Sequence, residues 1–203
     1  MMPQPKRSFR ETIDHMRSEN WGGLSGLLGD LTVVAAGDMQ SVGAMTAFLA
    51  AEYVLIRHGH KSGGYSAGSL LLATGDAILC FSKATAGNPP LRLALTALAV
   101  TFVIGSLRYP CEQVAAFLRP RAPETARKLQ KSADLIQPIV GGLVVFQHIP
   151  VLIFAAIGGN IVMLIAQSFW LVADALIGRL QGLIKPAVQK MRSFFDNNEH
   201  EQD

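Results

Sequence analysis

The sequence predicts an all-α, polytopic integral membrane bundle of five transmembrane helices, with a sixth short element as the alternative, on three observations. Residues 135–184 hold only His148, Asp174 and Arg179 as ionisable side chains and break once, at Gly158-Gly159-Asn160. Half of the 203 residues are hydrophobic and 16% are charged, against about 25% charged in a soluble domain. The basic residues cluster beside apolar segments instead of forming one stripe, so the net charge of +3 reads as a topology signal and not as a nucleic-acid surface.

Residues 1–20 are polar and lack a continuous apolar core followed by a cleavage site, which predicts a retained start without a secretory signal. Residues 21–36 are apolar but carry four glycines and Asp30, too little for a comfortable crossing of roughly 30 Å. The first clear span is 39–56, closed by Arg57-His58-Gly59-His60-Lys61, a polar turn that hydrocarbon would not accommodate. A second span runs over 65–81 with Asp76 in its interior.

Residues 83–90 (KATAGNPP) combine Gly, Asn and two prolines, the composition of a loop, and 91–107 is the third span. Together, residues 21–109 form one membrane block. The stretch 110–133 is a basic cytoplasmic connector, partly helical and broken by Pro120 and Pro123. The block 134–184 is a helical hairpin with spans at 135–157 and 161–180, and 185–203 is a polar tail whose last eight residues are expected to be disordered.

Orientation follows from Lys and Arg. With the connector inside, the Gly158–Asn160 turn lies outside and the tail inside. Counting back across five spans leaves the N-terminus outside despite Lys6, Arg7, Arg10 and Arg17. A crossing or re-entrant element at 21–36 returns it to the cytoplasm; the alternative is an amphipathic helix on the outer surface. Internal repetition is not convincing at this level.

Several residues of the 39–109 block form a more particular pattern. A helix ends in the turn RHGHKSGGYS, the next carries Gly75-Asp76 followed by Phe81, a loop holds Gly87-Asn88-Pro89-Pro90, and a third helix ends at Arg108. This resembles the PQ-loop family, which includes the SemiSWEET sugar transporters: Lys61-Ser62 and Gly64-Tyr65-Ser66 stand where that family has a Lys-Ser step and Gly-x-Ser. The resemblance implies a small-solute transporter with an outside N-terminus and an inside Lys-Ser turn. The proline-glutamine pair that names the family is replaced here by Ala50-Ala51-Glu52-Tyr53.

Carboxylates inside a bilayer are costly, about 2.5–3.5 kcal/mol each on insertion scales, so each is a candidate site. Asp76 is the most interior; Glu52 and Asp174 lie near span ends, within reach of the interface, and Asp38 sits at a span edge. Gln147-His148, two residues before Pro150, is a further candidate, because the proline frees the Phe146 carbonyl beside two polar side chains. The structural alternative for each is a hydrogen bond between helices.

Other chemistries find no support. His58 and His60 diverge on either regular structure, there is no HExxH or CxxC, and no metal or other cofactor is expected. Cys80 and Cys111 fall at opposite membrane faces, too far apart for a disulfide. No phosphate-binding glycine loop occurs, and Ser66, Ser69 and Thr74 lack a positioned His and Asp, so an enzyme is not expected.

Two functions fit these residues: a small-solute transporter that acts on a polar solute, completed by homo-oligomerisation, or a non-transporting subunit or assembly factor packed against other membrane proteins. The lipid bilayer is the partner common to both, and the short loops fit a bacterial inner membrane.

Overall fold

A computed structural model describes residues 21–58 and 61–176, all of them helical or in short turns. The helices are α1 (Trp21–Val33), α2 (Met39–His58), α3 (Ser62–Leu79), α4 (Pro89–Ser106), α5 (Arg108–Leu118), α6 (Pro123–Ile157) and α7 (Ile161–Leu176). Three stretches are long and apolar enough to cross a membrane: Met39–His58, Pro89–Leu118 and Pro123–Ile157. Outward-facing Leu93, Phe146 and Ile157 are among many large apolar side chains left exposed, as a lipid-facing surface requires. The chain is a polytopic membrane protein.

Successive helices pack on one another from α1 to α4, α4 packs on α6, α6 on α7, and α7 closes back onto α1. Six helices thus make a closed ring, while α5 lies against α6 and α3. The first apolar cluster joins Val33, Phe48, Leu79, Leu91, Val151 and Met163 from all six ring helices. A second, nearer the opposite end, holds Ala73, Leu98, Phe102, Val140 and Val144 from α3, α4 and α6.

Three turns at the first end share one construction. Gly37, Gly87 and Gly159 take positive φ of 70°, 73° and 63°, conformations that cost other residues strain. Each is followed by Asp38, Asn88 or Asn160, whose side-chain oxygen accepts the N–H of the residue three positions on: Ser41 at 2.6 Å, Leu91 at 3.1 Å and Met163 at 3.1 Å. The free N–H groups of a helix start are thereby satisfied.

The same side chains tie the turns together. Asp38 accepts from the Lys83 backbone N–H, Asn88 donates to the Phe154 carbonyl at 2.8 Å, and Asn160 donates to the Ala84 carbonyl. For Asp38 burial is the largest single influence and pushes its carboxyl up, but the bonds from Lys83 and Ser41 and the Lys83 charge together outweigh it and hold the carboxyl below the usual range. Thr85 and Ser82 hydroxyls donate to the Leu79 carbonyl at 2.8 Å each, closing the end of α3.

The register continues down the helices. Six positions past each cap stands a buried alanine (Ala44, Ala94, Ala166), and eight past it a hydroxyl that donates back to its own helix: Thr46 to Val42, Thr96 to Arg92, Ser168 to Leu164. The fold is therefore three hairpins, α1–α2, α3–α4 and α6–α7, and internal repetition, unconvincing in the sequence, is present in the structure. Unequal first helices and the inserted α5 obscure it.

Several expected boundaries move. The helix that carries the fourth expected span begins at Pro123, ahead of 135, and the connector 110–133 holds most of α5, the break Arg119–Ala122 and the start of α6. Pro123 opens this helix instead of breaking it, since the first helical position needs no N–H partner, and α6 continues through Pro138 and Pro150. Pro89-Pro90 likewise belong to the first turn of α4 and not to a loop. Residues 21–36 form α1 and a 3-10 turn, Val34–Ala36. The expectations for 1–20, for 177–180 of the fifth span and for the tail fall outside the described residues.

The tie between turns is testable. Asn160→Ala removes both a helix cap and the bond to Ala84, and should lower stability by about 1–2 kcal/mol, whereas Thr96→Ala should change it by less than about 0.5 kcal/mol. Thermal unfolding of the detergent-solubilised protein compares them; equal shifts would show that the caps do not hold the turns.

Candidate functional site

Just below the first apolar cluster, five helices contribute a polar layer. On α6, His148 lies one turn from Val144 of the second cluster and one turn from Val151 of the first. On α3, Asp76 lies likewise between Ala73 and Leu79. Both are almost fully buried, at 3% and 2% exposed.

His148 bridges α6 and α7. Its Nδ1 is 2.7 Å from Gln167 Oε1 and its Nε2 is 2.8 Å from Asp174 Oδ2. Both partners present oxygen, the arrangement that a ring donating from both nitrogens satisfies; turning the Gln167 amide over suits a ring that accepts at Nδ1. Gln147, next along the helix, has a buried Oε1 without a partner among the described residues.

The carboxylates of the first hairpin face inward to the same layer. Asp30 on α1 accepts the Trp170 indole N–H at 2.8 Å through Oδ1, while its Oδ2 is buried without a partner among the described residues. Trp170 meets Phe48 edge-on, with ring centroids 4.9 Å apart. Glu52 on α2 lies against the backbone of Gly26, where a Cβ would overlap its carboxyl oxygen. Close approach of α1 to α2 at that carboxylate thus requires glycine.

Asp30 and Asp174 are within Coulombic reach of both Glu52 and Asp76. The expectation that Glu52 and Asp174 reach the interface is corrected: the Glu52 Oε2 atom is buried, and the Asp174 side chain is only 14% exposed and bonded to His148. Their helices present them to the ring interior because each lies fourteen positions beyond its cap, on the face that also carries Phe48 and Trp170.

The structure therefore gathers Asp76, Glu52, Asp174 and His148 in one layer. Lys61, Ser62, Gly64 and Ser66 stand elsewhere. Lys61 is the extended residue that starts α3, and Ser62, Gly64 and Ser66 are helical rather than in a turn. Ser66 Oγ accepts the Tyr109 N–H at 3.0 Å, and ten residues of helix, about 15 Å, separate it from Asp76. Asp38 is a cap. Cys80 and Cys111 are both free.

Asp30, Gln167 and Trp170 are members of the layer that sequence reasoning passed over. In the sequence Asp30 reads only as an interruption of an apolar stretch, yet Gly29-Asp30 repeats Gly75-Asp76. In both, the glycine makes room for an aromatic ring of the neighbouring hairpin: Gly29 for Trp170, Gly75 for Phe48. Among the described residues, no three His, Cys, Asp or Glu groups are arranged to hold a metal ion.

The bridge between α6 and α7 has a measurable signature. His148→Leu removes the ring that bridges Gln167 and Asp174 and should cost about 1–3 kcal/mol. Adding Asp174→Leu should cost less than its effect in the parent. Denaturation of the two single variants and the double variant measures this coupling, and strict additivity would show that the bond contributes nothing.

Compared with protein-family models, with curated proteins and with solved structures, the chain matches none.

Proposed function

We propose that this protein is a proton-coupled transporter of a small solute, with Asp30, Glu52, Asp76, His148 and Asp174 as its coupling centre. The observation that carries this is the layer itself: four carboxyl groups and an imidazole, contributed by five helices of an otherwise apolar ring. Each such group in a bilayer opposes insertion, so a purely structural layer would be replaced at no loss by apolar packing. Because the ring closes within one chain, a path through it needs no second copy. The PQ-loop resemblance of residues 39–109 supports the same class, with no role assigned to enzymatic chemistry.

The same reading favours six crossings, with α1 as the first and α3 and α7 as shorter members. Gly26 meets Ala173 and Gly29 meets Ala166, so α1 runs antiparallel to α7, as alternating crossings require. Six crossings place every one of the 18 Lys and Arg residues except Lys83 and Arg92 on one side. That is the cytoplasmic side by the distribution of positive charge, and in a bacterial inner membrane it puts both polar flanks inside. Five crossings would instead place Lys6, Arg7, Arg10 and Arg17 outside.

Reconstituted into liposomes with a trapped pH indicator, the protein should couple solute entry to proton movement. Asp76→Asn and Glu52→Gln should each reduce that flux at least tenfold while the protein still inserts. Absence of flux across a broad solute panel, with stable co-purification of another membrane protein, would favour the accessory-subunit function instead. For topology, a reporter active only in the periplasm, fused after Asn20, should stay silent; activity there would reject six crossings.

A further inference from the structure

The two ring nitrogens of His148 meet chemically different partners on the same helix. Nδ1 is 2.7 Å from Gln167 Oε1 and Nε2 is 2.8 Å from Asp174 Oδ2, both on α7. Which nitrogen of a neutral imidazole keeps its proton is set by the bond that the other side of the ring makes. To hand a proton over and take it back, the ring needs one nitrogen that stays protonated and one that exchanges.

A carboxyl group takes up and releases a proton, whereas an amide does neither. Exchange therefore belongs to the Asp174 side and constancy to the Gln167 side. Gln167 is fully buried with its Oε1 on the ring, and its Nε2 has no partner among the described residues. In that orientation the amide accepts from Nδ1–H whether or not Nε2 carries a proton. Turned over, it would suit only a ring bare at Nδ1, and its bond would break each time the ring became doubly protonated.

No other ionisable side chain takes the place of Asp174 at the ring. The helices packed on α6 are α4, α5 and α7. On α4 only Arg92 is ionisable, in the first turn beside the caps. On α5, Arg108 is paired with Glu112 and also reaches Gln137, about three helical turns from His148, and Tyr109 and Cys111 lie on that same helix. The charged residues of α6 itself, Glu124, Arg127, Lys128, Lys131 and Asp134, are confined to its early turns, and the described part of α7 carries Asp174 alone.

Building on the transporter reading, we infer that Gln167 is a positioning residue, which holds one His148 proton on Nδ1 and leaves Nε2 to exchange the coupling proton with Asp174. In one state the ring is doubly protonated and Asp174 is a carboxylate. As the Nε2–H bond breaks, an Oδ2–H bond forms, leaving a neutral ring and a neutral carboxylic acid that donates back to Nε2. The bond from Nδ1–H to Gln167 persists throughout. Asp174 is within Coulombic reach of Glu52 and Asp76, so this single transfer changes the field at acids of the first and second hairpins.

Nitrogen-15 NMR of the full chain in lipid bilayers reads the protonation of each ring nitrogen. Changing His15, His58, His60 and His200 to Gln leaves His148 as the sole histidine of five. The neutral ring should carry its proton on Nδ1. Gln167→Leu should move it to Nε2, where it donates to the Asp174 carboxylate, and should slow proton-coupled flux by about tenfold or more. Gln167→Glu, which keeps an acceptor oxygen at the same reach, should restore the Nδ1–H form; a side chain that only fills space would leave the tautomer unmoved.

A parent ring protonated at Nε2 when neutral, or a Gln167→Leu ring of unchanged tautomer, would overturn the assignment. The parent spectrum decides this even where a variant fails to fold. The expected tautomers without any flux in liposomes support the role of Gln167 and remove the transporter reading. Proton-coupled flux by a parent whose neutral ring is protonated at Nε2 removes the role of Gln167 and leaves the transporter.

Discussion

Much of this structure depends on a left-handed glycine followed by a capping Asp or Asn. A helix that begins at the membrane edge exposes N–H groups that hydrocarbon cannot satisfy. At Asp38, Asn88 and Asn160 one side chain satisfies the new helix and also reaches a neighbouring turn. The second hairpin's turn receives ties from both of the others. Fixing three helix starts relative to one another fixes the height of every residue below them, because each helix advances about 1.5 Å per residue. The cap thus sets where Phe48 meets Trp170 and where Glu52 and Asp174 enter the ring.

That register explains how a polar layer is held in an apolar protein. The flanking clusters around Val151 and Val144 bury large side chains on both sides of His148, and dispersion and packing there offset the desolvation of the layer. Glycines bring the elements together where larger residues would separate them: Gly26 at Glu52, Gly29 at Trp170, Gly75 at Phe48. The helix richest in such small and polar residues, α3, is eighteen residues long yet is not among the three long apolar helices. It packs within the ring, between α2 and α4.

Some of this was legible in the sequence and some was not, for physical reasons. The hairpin turn at Gly158–Asn160, the interior position of Asp76 and the mid-span His148 follow from periodicity and the cost of charge in hydrocarbon. Asp30 was hidden because α1 is short and glycine-rich, so its carboxylate read as a defect in a span; only contact with Trp170 from the far end of the chain gives it a role. Gln167 was hidden for the opposite reason, lying in so apolar a helix that one amide drew no attention. The start of α6 at Pro123 lies ahead of the expected span because charged residues mark the end of hydrocarbon and not the end of a helix. Of the PQ-loop-like turn residues, Lys61 is extended and Ser62, Gly64 and Ser66 prove to be helical, all remote from the layer, since their sequence pattern says nothing about depth.

The repeat is also informative where it fails. In the first and third hairpins the fourteenth residue past the cap is a carboxylate, and the tenth is a large aromatic; in the second these positions hold Phe102 and Leu98. On the first-helix side, Gly-Asp occurs in α1 and α3, while α6 supplies His148 in place of a third acid. At these two positions α4 is therefore apolar, and its Leu98 and Phe102 join Ala73 of α3 and Val140 and Val144 of α6 in the second cluster. The polar layer takes residues from α1, α2, α3, α6 and α7 and none from α4. An apolar wedge on one side and acids on the other give the three hairpins unequal interfaces. The interface between the first and third hairpins carries Asp30, Trp170 and Glu52, and the hydrogen bond from Trp170 to Asp30 crosses it.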